Sequence, residues 1–393
     1  MQTAIIFRDR LLAPTETFIL GQAQSLLRYK PVLAGLRRSE TVLQHSLPEI
    51  LLRPGSGILD KLVVRAARYV PLAGSFYRRL RAVSPSIIHA HFAIDGVLAL
   101  PVANALDLPL VVSLHGYDVT PPDAHFRQSA AGRYYLAHRE ELFARASAFI
   151  CVSQSIRETA LRRGFPEEKL HVHYTGVNCE FFDPGTVKRD PKLILFVGRL
   201  VETKGCEFVI RAMAQVRQKD PLAHLEIIGD GPLRAELESL AKRLAVRVKF
   251  VGVQKPEAVR RSMMRARVLC NPSVTAEGFG MVFAEAQFVG TPVVSSMHSA
   301  IPEAVNNGET GLLCPERMPG PIADALLTFL GDDVFWNRAS GRATTWVREN
   351  FDIAKQAVKL EQLYDECQRQ WHESQAFATS PFPGQSPMNL DSK

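Results

Sequence analysis

No Asp-x-Asp occurs anywhere in this chain of 393 residues. His, Cys, Asp and Glu do not gather at metal-ligand spacing either, so no metal site is expected. The six cysteines, at 151, 179, 206, 270, 314 and 367, form no Cys-x-x-Cys pair. That pattern argues against a disulfide framework and a zinc ribbon, and it fits a reducing cytosol. Long apolar runs are missing. The longest apolar region, Val97 to Leu114, is broken by Pro101, Asn104, Asp107 and Pro109. It reads as helix, turn and strand, not as a membrane span. Near the N-terminus, Arg8 and Asp9 interrupt the apolar run too soon for a signal peptide. Acidic residues are in deficit, with 47 Lys+Arg against 40 Asp+Glu and a net charge of +7. No nucleic-acid motif accompanies the excess, so nucleic acid is not an expected partner.

What is present is a length that suits two domains and a 46% hydrophobic content that can fill their cores. Short apolar segments alternate with amphipathic ones. Strands are predicted at Thr3–Phe7, Val32–Gly35, Ile87–Ala90, Leu110–Leu114, Phe149–Val152 and His171–Tyr174. Helical patterns lie between them, as at Gly96–Leu106 and Ser155–Arg163. This alternation predicts an α/β fold with a doubly wound parallel sheet. Turn formers Asp183-Pro184-Gly185 and Asp190-Pro191 then mark a boundary. The pattern restarts with strands at Leu193–Val197, Leu225–Ile228, Val246–Val251 and Thr291–Ser295. The boundaries expected are a first domain over 1–182, a linker over 183–192 and a second domain over 193–351. A last helix over 352–373 and a disordered, Ser/Pro/Gly-rich tail over 374–393 follow.

The most informative stretch is Glu277-Gly278-Phe279-Gly280-Met281, with a second carboxylate at Glu285. Glycines permit close backbone approach, and the apolar spacing after Gly280 is helical. Free N–H groups at such a helix start suit an anion or an oxygen-rich ligand. Taken alone, two glutamates at this spacing are as readily solvated surface charges. A second motif changes the balance. Gly198-Arg199-Leu200 ends a predicted strand, and Lys204-Gly205 opens a helix. Two cations at a strand-to-helix turn can flank a diphosphate. Gly229 and Gly231, with Arg234, make an incomplete dinucleotide fingerprint, and Gly252-Val253-Gln254 closes the next strand.

In the first half, four loops follow strand ends. Pro14-Thr15-Glu16-Thr17-Phe18 is one, where Thr15 or Thr17 can also act simply as a helix cap. His89 and His91 end another strand, and one of the two is expected in the core, because alternate residues face opposite sides. His115-Gly116-Tyr117-Asp118 places a histidine where a ligand would be met, or forms a structural turn. Ser153 and Ser155 are placed mainly to cap a helix.

Together these residues resemble the retaining glycosyltransferases of family 4. Glu277 to Glu285 looks like their E-x7-E motif, and Gly198-Arg199-Leu200 with Lys204-Gly205 like their second motif. The resemblance, nearest to bacterial exopolysaccharide transferases of the colanic-acid type, implies the GT-B fold. That fold sets two Rossmann-like domains face to face, with a C-terminal helix crossing back to the first. It implies a nucleoside-diphosphate sugar as donor and a glycan or lipid-linked acceptor, without metal or other cofactor. On this reading the catalytic set is His115, Arg199, Lys204 and Glu277. Gly198, Arg199, Lys204, Gly229, Val253, Glu277, Gly278, Phe279, Gly280, Met281 and Glu285 bind the donor. Glu16, Thr17, His91 and Asp118 are the acceptor candidates; the Glu-Thr-Phe loop departs from the usual glycine-rich one. Residues 61–81 carry Lys61, Arg65, Arg68, Arg78, Arg79 and Arg81 and no acid. Interleaved with apolar residues, they suit an anionic membrane surface or a solvated face. A cytoplasmic enzyme peripheral to the plasma membrane is expected. A sugar-nucleotide epimerase of the same fold and a non-catalytic nucleotide-sugar-binding partner of a synthase are the alternatives.

Overall fold

The computed structural model describes residues 1–13, 16–39, 43–53, 74–182, 187–275 and 277–378. Two parallel sheets carry the fold. The first has seven strands: β1 (Gln2–Leu11), β2 (Tyr29–Arg38), β3 (Glu49–Arg53), β4 (Pro85–His91), β5 (Leu110–Leu114), β6 (Ala148–Cys151) and β7 (Leu170–Val172). Their order is β3-β2-β1-β4-β5-β6-β7. The second has six: β8 (Leu193–Val197), β9 (His224–Ile228), β10 (Val248–Gly252), β11 (Val268–Asn271), β12 (Val293–Ser296) and β13 (Gly311–Cys314). Their order is β10-β9-β8-β11-β12-β13. Central strands read as unbroken apolar runs because helices cover both faces. Ala4 to Phe7 and Leu193 to Phe196 are all buried.

Each sheet reverses its strand order beside its first strand, between β1 and β4 and between β8 and β11. A crevice opens outside the strand ends at such a switch point. Here the two crevices face each other. The chain crosses between the domains at two adjacent points. Val177 N–H donates to the Phe351 carbonyl (2.7 Å), and Ile353 N–H donates to that of Val177 (3.0 Å).

The helix Ile353–Ala378 then runs back onto the first domain. Its Leu360, Tyr364 and Cys367 are buried against β1, β2 and the helix Thr17–Gln24. Glu361 accepts the backbone N–H groups of Leu27 (2.6 Å) and Arg28 (2.7 Å). Tyr29 donates its hydroxyl to Asp365 at 2.6 Å.

Several expectations change. Strands Glu49–Arg53 and Gly311–Cys314 were not foreseen; both are short and lie at sheet edges. Positions 374–378, expected to be disordered, continue the last helix; residues 379–393 lie outside the described residues. Of the basic stretch, 61–73 also lie outside them. The rest is the helix Gly74–Ala82, whose Phe76 and Leu80 are buried in the core. Its apolar face is therefore not free to lie on lipid, and only its cationic face is exposed.

Candidate active site

The C-terminal ends of β5, β6, β8 and β11 bound a cavity of about 390 Å³ between the domains. His115, Gly198, Lys204, Glu277, Gly278, Phe279, Gly280, Met281 and Glu285 all line it. Nine residues singled out in sequence from both halves thus share one space.

Gly280 supplies the turn into the helix Met281–Phe288, with φ of 85° at its N-cap position. A side chain there would lie 2.4 Å from the Phe283 ring. Gly278 is one point where the domains touch: a Cβ on it would sit 2.2 Å from the His115 carbonyl oxygen. The glycines of this motif therefore serve backbone geometry and domain contact.

Lys204 Nζ forms an ion pair with Glu277, and Ser273 Oγ donates to the same carboxylate at 2.6 Å. The loop is anchored further back by Asn271. Its amide donates to the Val197 carbonyl (2.7 Å) and its oxygen accepts the Val197 N–H (3.2 Å). Glu277 and Lys204 are thus held at the ends of adjacent strands. Glu285 differs. It is half-buried on the first turns of its helix, and its carboxylate makes no hydrogen bond or ion pair among the described residues. Burial pushes its carboxyl up to about 7. A second cavity of about 320 Å³ shares Glu285 and Met281 and extends past Thr17, Phe18, Gln254 and Val259.

On the opposite wall, His115 packs against the Phe18 and Phe92 rings. Its Nε2 lies 3.0 Å from His91 Nδ1. Burial, with the nearby Arg8 charge, lowers the His115 ring to about 3, so it is neutral at physiological pH.

The acceptor candidates fare unevenly. Asp118 is 1% exposed. Its carboxylate accepts the N–H groups of Ala93 (2.9 Å), His115 (3.0 Å) and Gly116 (3.0 Å). It braces the loop that presents His115 and has no face left for an acceptor. Glu16 is 8% exposed, paired with Arg8 and accepting the Ala13 N–H at 3.1 Å. Arg8 also binds the buried Asp95 at 2.5 Å, so Glu16 belongs to a buried ion cluster. His91 is buried behind His115. Of the four, only Thr17 lines either of these two cavities.

Three donor candidates also stand apart from the cavity. Arg199 is exposed at its rim, with no ion pair among the described residues. Val253 is 75% exposed. Gly229 follows β9 directly, and its N–H donates to the Gly252 carbonyl at 2.9 Å. Arg234 pairs with Asp230 and Glu238 on the surface.

The contacts that join the walls come from residues outside the sequence motifs. Ser299, in a left-handed conformation (φ 52°), donates to the Glu277 carbonyl at 3.1 Å and meets Ser155 Oγ at 3.1 Å. Glu303 accepts the N–H groups of Gln154 (2.7 Å) and Ser155 (2.9 Å), the start of a helix in the other domain. The Ile301-Pro302-Glu303 run gave a signal only for a helix start.

Comparison with known proteins gives the family and the fold. Residues 191–332 match the group 1 glycosyl transferases, and residues 35–181 match glycosyltransferase family 4. D-inositol 3-phosphate glycosyltransferase of Corynebacterium diphtheriae is 32% identical over 72% of this chain and 70% of its own length. The putative colanic acid biosynthesis glycosyltransferase WcaL of Escherichia coli is 30% identical over 61% of this chain and 60% of its own. HepE of Anabaena, solved in complex with UDP and glucose, superposes with a TM-score of 0.74 at 20% identity. That match covers 93% of this chain and 100% of HepE. The chain therefore belongs to glycosyltransferase family 4, as a transferase with the GT-B fold.

Proposed function

We propose that this enzyme moves a sugar, with retention of configuration and without a metal, from a nucleoside-diphosphate sugar to a glycan or lipid-linked acceptor. Polysaccharide biosynthesis is the setting suggested by its relatives' names, which include colanic acid and amylovoran transferases. The observation that carries the reading is the shared cavity. It combines a fixed cation, a helix start with free N–H groups and two carboxylates in different environments.

Lys204 and Arg199 take the departing diphosphate, which must be stabilised as its charge develops. The amides of Phe279, Gly280 and Met281 add dipoles at the same place. Lys204 has to exchange part of its contact with Glu277 for phosphate oxygens. Glu277 then turns to sugar hydroxyls, and Glu285, without a partner, to the ribose. Base recognition falls to backbone around Val253. Neutral His115 faces the donor sugar. The leaving phosphate oxygen takes the acceptor's proton on the donor's front face, and no enzyme nucleophile is required. Metal independence is supported by the missing Asp-x-Asp and by the cations in its place.

The acceptor enters from the first domain, past Thr17 and Phe18. The exposed Arg78, Arg79 and Arg81 hold that domain near the anionic cytoplasmic face of the plasma membrane. Arg79 does so with part of its guanidinium tied to the Leu51 carbonyl at 2.6 Å. No helix among the described residues is long and apolar enough to cross a membrane.

Transfer from UDP-, GDP- and ADP-sugars to lipid-linked acceptors in membrane extracts tests the reading. A thermal-shift screen selects the base first, since a ligand at 100 times its dissociation constant adds about 2.7 kcal/mol. Activity is expected to survive excess EDTA, and the new linkage to keep the donor's anomeric configuration. Loss on chelation with recovery in magnesium or manganese, or an inverted product, would overturn it.

A further inference from the structure

Behind His115 lies a row of groups that the donor site does not use. His89 is fully buried and doubly bonded, its Nδ1 to the Tyr364 hydroxyl (2.5 Å) and its Nε2 to Ser113 Oγ (2.7 Å). Its ring stacks on that of His91, with centroids 4.3 Å apart and planes at 30°. His91 in turn stacks on His115 at 5.3 Å, and their nitrogens meet at 3.0 Å. The three rings thus run from the helix Ile353–Ala378 to the cavity wall. His91 Nε2 is buried with no hydrogen-bond partner.

A neutral imidazole has one N–H and one lone pair, and the bond made by one nitrogen decides the state of the other. Both rings are neutral, because burial lowers each well below its ordinary range. Only two arrangements fit the 3.0 Å contact. If His115 donates, His91 must carry its proton on Nε2. That buries an unpartnered N–H on a residue whose own carbonyl already receives the Arg8 guanidinium at 3.1 Å. If His91 donates from Nδ1, its Nε2 holds only a lone pair, and the Arg8 charge favours that. An unpartnered buried nitrogen costs desolvation in either arrangement, so the nearby Arg8 charge decides, favouring a lone pair over an N–H on His91 Nε2.

We infer that His91 is a positioning residue that fixes His115 as the Nδ1–H tautomer. His115 then meets the cleft as a hydrogen-bond donor and never as a base. Its free nitrogen, Nδ1, is the one directed at ligand. The inference rests on the proposed donor site for its catalytic meaning, but the proton's position is a property of the ligand-free protein. A donor there suits an oxygen of the sugar or the diphosphate.

Nitrogen NMR of protein labelled in its histidines reads the tautomer directly, with His115→Ala identifying the signal. The expected result for the unaltered chain is a neutral His115 with the proton on Nδ1. His91→Leu removes the partner, so His115 should lose that single state and turnover should fall about tenfold, the lower end of the loss when a metal-bound histidine's outer hydrogen bond is removed. His91→Asn keeps an N–H near the Nδ1 position and should restore both. Finding Nε2–H in the unaltered protein, or an unchanged tautomer in His91→Leu, overturns the inference. That failure is distinct from failure of the transferase reading, which would appear as the expected tautomer with no turnover of any nucleotide sugar.

Discussion

Two carboxylates of one motif sit in opposite states. Glu277 is held by Lys204 and Ser273, whereas Glu285 is half-buried and unpaired. A hydrogen bond to a charged group contributes about 1.5–3 kcal/mol. Glu285→Gln should therefore weaken the free nucleoside diphosphate about ten- to a hundredfold. Glu277→Gln should leave that affinity nearly intact and lower turnover of the full donor. Calorimetry with the diphosphate beside transfer kinetics separates them, and equal loss of diphosphate affinity would defeat the division. Glu285 also carries a pH signature. Its ordinary value is 4.5 and its folded value about 7, because burial disfavours the charge. The folded chain thus holds a proton that the unfolded chain has lost between those values, and stability falls as pH rises through that window. Above pH 7 the ionised group costs up to about 3 kcal/mol at 1.36 kcal/mol per unit. Glu285→Gln should melt higher than the natural chain at pH 8, and the gain should vanish towards pH 5. A gain independent of pH would mean that burial of this charge is not the cause.

At the scale of elements, the glycine-rich turn before the helix Met281–Phe288 joins the two domains. A methyl group on Gly278 would meet the His115 carbonyl at 2.2 Å. Backbone cannot yield as a flexible side chain can, so Gly278→Ala should keep the domains apart. Transfer should fall at least about a hundredfold, the scale expected when reacting groups are displaced by an ångström. Far-UV circular dichroism and diphosphate binding should persist. This turn was legible in the sequence because Gly and Glu spacing encodes local geometry. The central strands were legible for a similar reason: burial on both faces leaves an unbroken apolar run. The edge strands Glu49–Arg53 and Gly311–Cys314 were not, because a short edge strand is defined by the neighbour it pairs with. Asp118, Glu16 and His91 show the same limit at the site. Chain order places each at a strand end, but only packing decides whether it faces ligand or braces a loop.

On the scale of the whole molecule, carboxylates on the second half of the chain hold the first. Glu361 anchors the returning helix through the N–H groups of Leu27 and Arg28. Glu361→Ala removes the acceptor of those N–H groups, which lie on exposed residues, and should cost about 1–2 kcal/mol in denaturant unfolding. Retention of full stability would mean that Leu360, Tyr364 and Cys367 suffice to dock the helix. Glu303 acts across the cleft itself. It accepts two N–H groups at the start of the helix Gln154–Arg162 and lies one turn from Ser299, which bonds the Glu277 carbonyl. A carboxylate at a helix start gains from the helix dipole as well as from the bonds. The contact spans the two domains, so it holds them together and steadies the Glu277 loop through Ser299. Glu303→Ala should open the molecule, raising the radius of gyration in solution scattering. It should lower kcat about tenfold, a loss of about 1.4 kcal/mol. Affinity for the free diphosphate should barely change, since Lys204, Gly280 and Glu285 all belong to one domain. A matching fall in diphosphate affinity would place Glu303 in the donor site rather than in closure.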